Sequence, residues 1–142
     1  MSWKSFVAAS LFLSAGLSIR MLPAISAPVP TMTVAAWQPI ARINPTKPFQ
    51  VQIINKTRLG LEYSSTTNEF PPRKLAANAT TTLKQLSAPI YLLISPLDGR
   101  FNLKYTVSTR DNLVVVTVTQ LPDSNPGNTT VNVQETGGIF VY

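Results

Sequence analysis

Residues 101–120, FNLKYTVSTRDNLVVVTVTQ, form two runs of alternating apolar and polar side chains that meet at Asp111-Asn112. Successive side chains of an extended strand point to opposite faces, so each run has one dry face and one wet face. Parity then dictates how the runs fold together. A two-residue turn at Asp111-Asn112 opposes Arg110 to Leu113, Val107 to Val116, Tyr105 to Val118 and Leu103 to Gln120. That register places Leu103, Tyr105, Val107, Val114, Val116 and Val118 on one buried face. The other face sets Thr106 against Thr117 and Lys104 against Thr119, a pairing suited to water. A three-residue turn would mix the two faces, so an even turn is predicted. The hairpin is scaffold, and its apolar face demands further strands to cover it.

The chain is 142 residues long, enough for one core without a metal or a disulfide. Only 13% of residues are charged. Ser, Thr, Asn and Gln must therefore carry much of the wet surface. Residues 1–27 read as a secretory signal peptide, because Lys4 precedes an apolar run from Phe6 to Ile19 that ends in Pro23-Ala24-Ile25-Ser26-Ala27. Cleavage is expected after Ser26, or else after Ala27. The run is shorter than the ~20 residues that span a bilayer, so no membrane span is expected once the leader is removed. With Lys4 and Arg20 gone, ten basic groups face six acidic ones, a net charge of +4. The chain has no Cys, which points away from disulfide-built secreted domains and toward a secreted or periplasmic setting in a bacterium.

Residues 28–47 carry Pro28, Pro30, Pro39, Pro45 and Pro48 follows directly, so this stretch is expected to be a Pro-rich extended arm with at most short edge pairing. Within it, Met32, Val34 and Ala36 alternate with Thr31, Thr33 and Ala35 as one short strand. The domain proper spans 48–142. Phe49, Val51 and Ile53 alternate with Gln50 and Gln52, and Leu59, Leu61 and Tyr63 repeat the pattern after a turn at 55–58, which predicts a hairpin between these two strands. Ser65–Lys74, with Pro71-Pro72, is expected to be a loop or crossover. Residues 75–86 fit either a short helix or a strand, and Thr80-Thr81-Thr82 tilts them toward a strand after a turn at Ala77-Asn78. The apolar run Ile90–Ile94, bounded by Pro89 and Pro96, is expected to be a strand buried on both faces, and Pro96-Leu97-Asp98-Gly99 to be a turn. After a polar loop at 122–128, Val131 and Val133 alternate with Asn132 and Gln134, and Ile139–Tyr142 closes the chain, with Ile139 and Val141 completing the core.

Seven to nine short strands separated by turn signals, with no convincing amphipathic helix after the leader, predict an all-β fold. An antiparallel β-sandwich is favoured over a small barrel. The motifs VQIIN at 51–55, Phe70-Pro71-Pro72 and LAANATTTL at 75–83 resemble the first strands of immunoglobulin-like periplasmic domains. The resemblance covers residues 48–86 and implies an Ig-like Greek-key topology. It does not extend to the basic anchor residues or the second domain of pilus chaperones.

Several chemistries are excluded by residue type. Without His or Cys there is no imidazole base and no thiolate nucleophile or metal ligand. The mature chain has no Ser-x-x-Lys motif. Its acids are Glu62, Glu69, Asp98, Asp111, Asp123 and Glu135, and the three Asp residues sit in turns where a carboxylate caps its own backbone. No catalytic, cofactor-binding or metal-binding residue is therefore assigned. Arg100 and Arg110 are separated by the length of one strand, about 30 Å at ~3.3 Å per residue, so they form no common patch. Export further disfavours nucleic acid. Three Asn-x-Thr sequons begin at Asn55, Asn78 and Asn128.

The function expected from these features is that of an exported, non-enzymatic binding or structural interaction module, with a protein or a surface glycan as partner. The contact surface is sought at Trp37, Met32 and Val34 of the arm and at Arg73 and Lys74. A self-assembling surface or filament subunit, a homo-oligomer built by strand addition of the arm, is the alternative. A carboxylate-dependent enzyme acting on glycans is the remaining one.

Overall fold

The computed structural model describes residues 38–122 and 125–142. They contain ten β-strands and no helix: β1 Ala41–Arg42, β2 Phe49–Asn55, β3 Leu61–Ser65, β4 Arg73–Leu75, β5 Thr80–Leu86, β6 Ile90–Pro96, β7 Asn102–Arg110, β8 Leu113–Leu121, β9 Thr130–Val133 and β10 Gly138–Val141. Six strands form one sheet in the order β1-β10-β9-β6-β3-β4. Four form the other in the order β5-β2-β8-β7. Inward residues of both sheets, from Phe49 and Leu61 to Val116 and Ile139, make one hydrophobic core. The expected all-β, two-sheet architecture is therefore present, with ten strands rather than seven to nine because two very short ones, β1 and β4, are added at opposite edges of the larger sheet.

The central hairpin folds as parity requires. Arg110 faces Leu113, Val107 faces Val116, Tyr105 faces Val118 and Leu103 faces Gln120. Asp111 and Asn112 both have positive φ, 48° and 60°, the backbone of a two-residue turn whose twist matches that of the strands. Leu103, Tyr105, Val114, Val116 and Val118 are each at most 5% exposed, and Val107 packs against the core from the hairpin's end. At about 1.5–3 kcal/mol per buried side chain, these contribute roughly 10 kcal/mol, the size of a whole domain's net stability. A one-residue slip would turn all of them toward water, so the register is locked.

Three connections differ from the sequence expectation. Strands β2 and β3 do not form a hairpin. They lie in different sheets, β2 paired antiparallel with β5 and β3 paired with β4 and β6. Strand β2 also runs parallel to β8, from Gln50 opposite Leu113 to Asn55 opposite Val118, so the fold is not wholly antiparallel. The crossing at 56–60 is held by Asn55, whose Nδ2 donates to the carbonyls of Leu59 and Ala76 at 2.8 and 3.0 Å. Those bonds swing the chain out of its sheet instead of back along it. Third, Arg73 and Lys74, expected in a loop, belong to β4 and pair with Tyr63 and Glu62.

Strand β6 corrects a further expectation. Ile90, Leu92 and Ile94 are buried, but Tyr91 is 42% and Leu93 36% exposed. The run is apolar on both faces and covered on one. In β5, the turn at Ala77-Asn78 and the threonine-led strand appear as expected, with Asn78 at φ 57°. Leu83 and Leu86 are both buried despite their odd spacing, because Gln85 at φ 58° and a register shift opposite Phe49–Val51 insert one extra residue.

The described part of the arm is joined to the domain. Ala41–Arg42 adds to β10 as an edge strand, the short pairing the prolines allow, and Ile43 enters the core. Asn44 and Asn112 clasp each other: the Asn44 N–H donates to Asn112 Oδ1 at 2.7 Å, and Asn112 Nδ2 donates to the Asn44 carbonyl at 3.0 Å. The signal peptide and the strand around Met32 and Val34 lie outside the described residues.

Candidate binding face

Four of the five large apolar side chains exposed among the described residues, Ile40, Tyr91, Leu93 and Tyr142, lie on the larger sheet or beside its edge. Pleating explains why they share a face. Ile90, Leu92 and Ile94 of β6, Val131 and Val133 of β9, and Ile139 of β10 point into the core, so the residues between them point out. Register then aligns them. Tyr91 faces Asn132, and Asn132 faces Phe140, so three side chains form a row across β6, β9 and β10. The N–H of Ile40, the residue just before β1, donates to the Ile139 carbonyl at 2.8 Å and brings Ile40 alongside β10. A second row runs from Leu93 to Thr130 and on to Tyr142, whose backbone exchanges hydrogen bonds with Thr130 at 3.1 and 3.0 Å. Phe140 of β10 and Tyr142, just past the strand's end, stack with their rings 9° from parallel and centroids 6.4 Å apart.

The outer face of the smaller sheet is different in kind. Gln50, Gln52, Thr82, Lys84, Lys104, Thr106, Ser108, Thr117 and Thr119 point outward there, with Ile54 and Val115 half buried between them. Among the described residues the large exposed apolar side chains thus concentrate on one side, with Leu97 in the turn after β6 as the exception.

Asn132 sits in the middle of that side. Only 4% of it is exposed, and its Oδ1 has no hydrogen-bond partner among the described residues. A buried carbonyl without a donor is unusual, since burial removes its water and nothing replaces it. Beside it a groove of about 350 Å³ is lined by Pro89, Tyr91, Asn132, Gln134, Glu135 and Thr136. The Ala88–Pro89 bond, just before β6, is cis.

No known protein family, curated protein or solved structure matches this chain.

The residues singled out from sequence fare differently. Trp37, Met32 and Val34 lie outside the described residues. Arg73 and Lys74 are adjacent in the chain, yet β4 points them to opposite sides: Arg73 opposite Tyr63 and Lys74 opposite Glu62. They make no common basic patch. The Arg73 guanidinium lies 5.5 Å from the centre of the Phe70 ring, which packs at 6.0 Å against Tyr63. That is the geometry of a cation over an aromatic face.

The acids are dispersed. Asp98 is paired with Arg100, whose Nε and Nη2 donate to the carboxylate at 3.0 and 2.8 Å. These bonds hold the Asp98 carboxyl below its ordinary range and raise Arg100 above its own. The pair is solvent-exposed and belongs to the turn after β6. Asp111 is in the hairpin turn, Glu62 on β3, Glu69 before β4 and Glu135 between β9 and β10. Asp123 lies outside the described residues. Among the described residues no three acidic side chains gather as a metal site.

The sequons separate by burial. Asn55 is 1% exposed and is a structural hub, and Asn128 accepts the N–H of Tyr105 at 3.0 Å. Asn78 alone of the three is exposed at the surface. Sequence reasoning missed Asn132, whose place in a strict alternation marked it only as a wet position. The signal that could have found the face is the apolar run at β6, which has more apolar residues than one buried side requires.

Proposed function

We propose that this chain is an exported, non-enzymatic β-sandwich that acts as a binding module at the cell envelope or outside the cell, with the outer face of its larger sheet as the contact surface. The single observation that carries this reading is the concentration of Ile40, Tyr91, Leu93, Phe140 and Tyr142 on that face, against a Thr- and Gln-rich face on the other sheet. Apolar surface collected on one side and left uncovered is a mark of an interaction site. Export is inferred from the leader, and the absence of enzymatic activity from the missing His and Cys. An Ig-like Greek-key topology belongs to the same reading. It is supported by the pairing of β2 with β5 in one sheet and of β3 with β6 in the other, the interlock of two consecutive strand pairs that Ig-like sandwiches share.

The test is affinity capture from the native envelope or medium with the exported chain and with a Leu93→Ser, Tyr142→Ser variant as parallel baits. A binding partner held by the first and lost by the second supports the face. Equal capture by both baits, or none by either, rejects it.

A self-assembling subunit is the second reading, favoured by β1. The arm already adds a strand to an open sheet edge through Ala41–Arg42. The same addition between copies would need the residues before it, so removal of residues 28–39 from a multimer should leave a monomer by light scattering. A monomer before and after removal sinks this reading.

A further inference from the structure

We propose that the groove beside Asn132 is a subsite for an uncharged sugar ring, so that the partner of the binding face is a neutral glycan. The inference rests on the binding-module reading above and gives it a ligand class.

Three features of the groove select this chemistry. The first is Asn132 itself, a nearly buried carboxamide whose Oδ1 lacks a donor among the described residues. An acceptor held out of water is satisfied by a ligand that brings a hydroxyl or N–H of its own. The second is Tyr91, which stands directly opposite Asn132 in the register and is exposed. Both residues line the groove. One face of a pyranose ring carries mainly C–H groups and lies flat on an aromatic ring, while its hydroxyls point sideways. Tyr91 supplies such a platform in the groove, and Asn132 beside it an acceptor still without a donor.

The third feature is charge. Pro89, Gln134, Glu135 and Thr136 complete the described lining, and no Lys or Arg is among these residues. A carboxylate with no cation beside it repels phosphates, sulfates and uronic acids, and it accepts hydrogen bonds from neutral hydroxyls. Its volume of about 350 Å³ is at the lower end of the ~300–1,000 Å³ of small-molecule sites, room for a ring or two of a longer chain. Leu93, Phe140 and Tyr142 continue the apolar surface along the sheet, where neighbouring rings of an extended glycan would run.

The test is a titration of the ¹⁵N-labelled exported chain, followed by NMR, with cellohexaose, mannohexaose and chitohexaose, and with hexagalacturonate as the charged comparison. At least one neutral probe should shift the Asn132 side-chain amide signals and the backbone signals of Tyr91 and Glu135. Asn132→Ala and Tyr91→Ala should each weaken that binding roughly tenfold or more. Ser108→Ala, on the opposite face, should leave it unchanged. If Asn132→Ala fails to fold, Tyr91→Ala and Glu135→Gln decide. No shift with any neutral probe at about 10 mM overturns the sugar assignment. Preference for hexagalacturonate overturns its neutrality. If the sugar assignment fails while the capture experiment still returns a protein that depends on Leu93 and Tyr142, the binding face stands with a protein partner. If capture fails as well, both readings fall.

Discussion

Asn55 Oδ1 accepts two hydrogen bonds from one residue, the backbone N–H of Thr57 at 2.9 Å and its hydroxyl at 2.7 Å. Both residues are buried, and the Asn55 amide nitrogen donates in turn to Leu59 and Ala76. The pair forms the bracket by which the chain leaves the smaller sheet at β2 and enters the larger at β3.

Replacing Asn55 by Ala leaves the buried Thr57 N–H without an acceptor and takes one donor each from the carbonyls of Leu59 and Ala76, which keep the Thr57 hydroxyl at 3.2 Å and the Ala79 N–H at 3.1 Å. At about 1–3 kcal/mol for the unsatisfied N–H and about 0.5–1.5 kcal/mol for each bond lost from a carbonyl, a loss of roughly 2–5 kcal/mol is expected. Urea unfolding should show a lower midpoint with an unchanged slope. A loss under about 1 kcal/mol would mean that the bracket does not direct the crossing.

Tyr105 of β7 donates its hydroxyl to the Ile94 carbonyl of β6, a bond that ties one sheet to the other. Burial pushes the phenol up from its ordinary value, because the interior disfavours the phenolate. The unfolded chain therefore loses this proton near pH 10, while the folded chain still holds it. Above about pH 10 the folded state binds more protons than the unfolded one, so stability falls as pH rises, by at most ~1.4 kcal/mol per unit from this group. Tyr105→Phe should remove that component and cost about 1–2 kcal/mol at pH 7. Parallel pH series of chemical denaturation for the two proteins would measure both effects.

Leu92 and Leu93 are neighbours in an unbroken apolar run, yet one is 2% and the other 36% exposed. Leu92→Ala should destabilise by about 2–5 kcal/mol, since it opens a cavity in the core. Leu93→Ala should change stability by no more than about 1 kcal/mol. Equal losses in thermal melts would contradict the one-sided burial of β6, and with it the exposed face.

Gly137 turns the chain between β9 and β10 at φ +80°, and a Cβ placed there would come within 2.2 Å of the Ile43 carbonyl oxygen. The Ile43 N–H donates to the Gly137 carbonyl at 2.9 Å, so β1 approaches the turn along its backbone. Gly137→Ala is strained by both conformation and contact. An expected loss of roughly 2–4 kcal/mol should be accompanied by faster hydrogen exchange at Ile43 than at Val116.

The candidate site was less legible than the fold. Tyr91 and Leu93 were visible as apolar, but a run of five apolar residues carries no period and cannot say which face is covered. Asn132 was visible as the polar member of an alternation. Its significance depends on Tyr91 and Phe140 lying opposite it, 41 and eight residues away, and no local pattern encodes that. Arg73 and Lys74 look like a basic pair in the chain and are separated by the two-residue period of β4.

What the sequence determined by itself is whatever the strand period and turn chemistry control: the even turn at Asp111-Asn112, the register from Leu103 to Gln120, the turn at Asn78 and the absence of helix in the described domain. Period and turn act over neighbouring residues, so their outcome is written locally. The tertiary structure alone decided that β2 crosses to the other sheet, runs parallel to β8, and leaves β6 covered on one side. Those choices depend on which distant strands bury most apolar surface together, and a strand's alternation is the same whichever partner it takes.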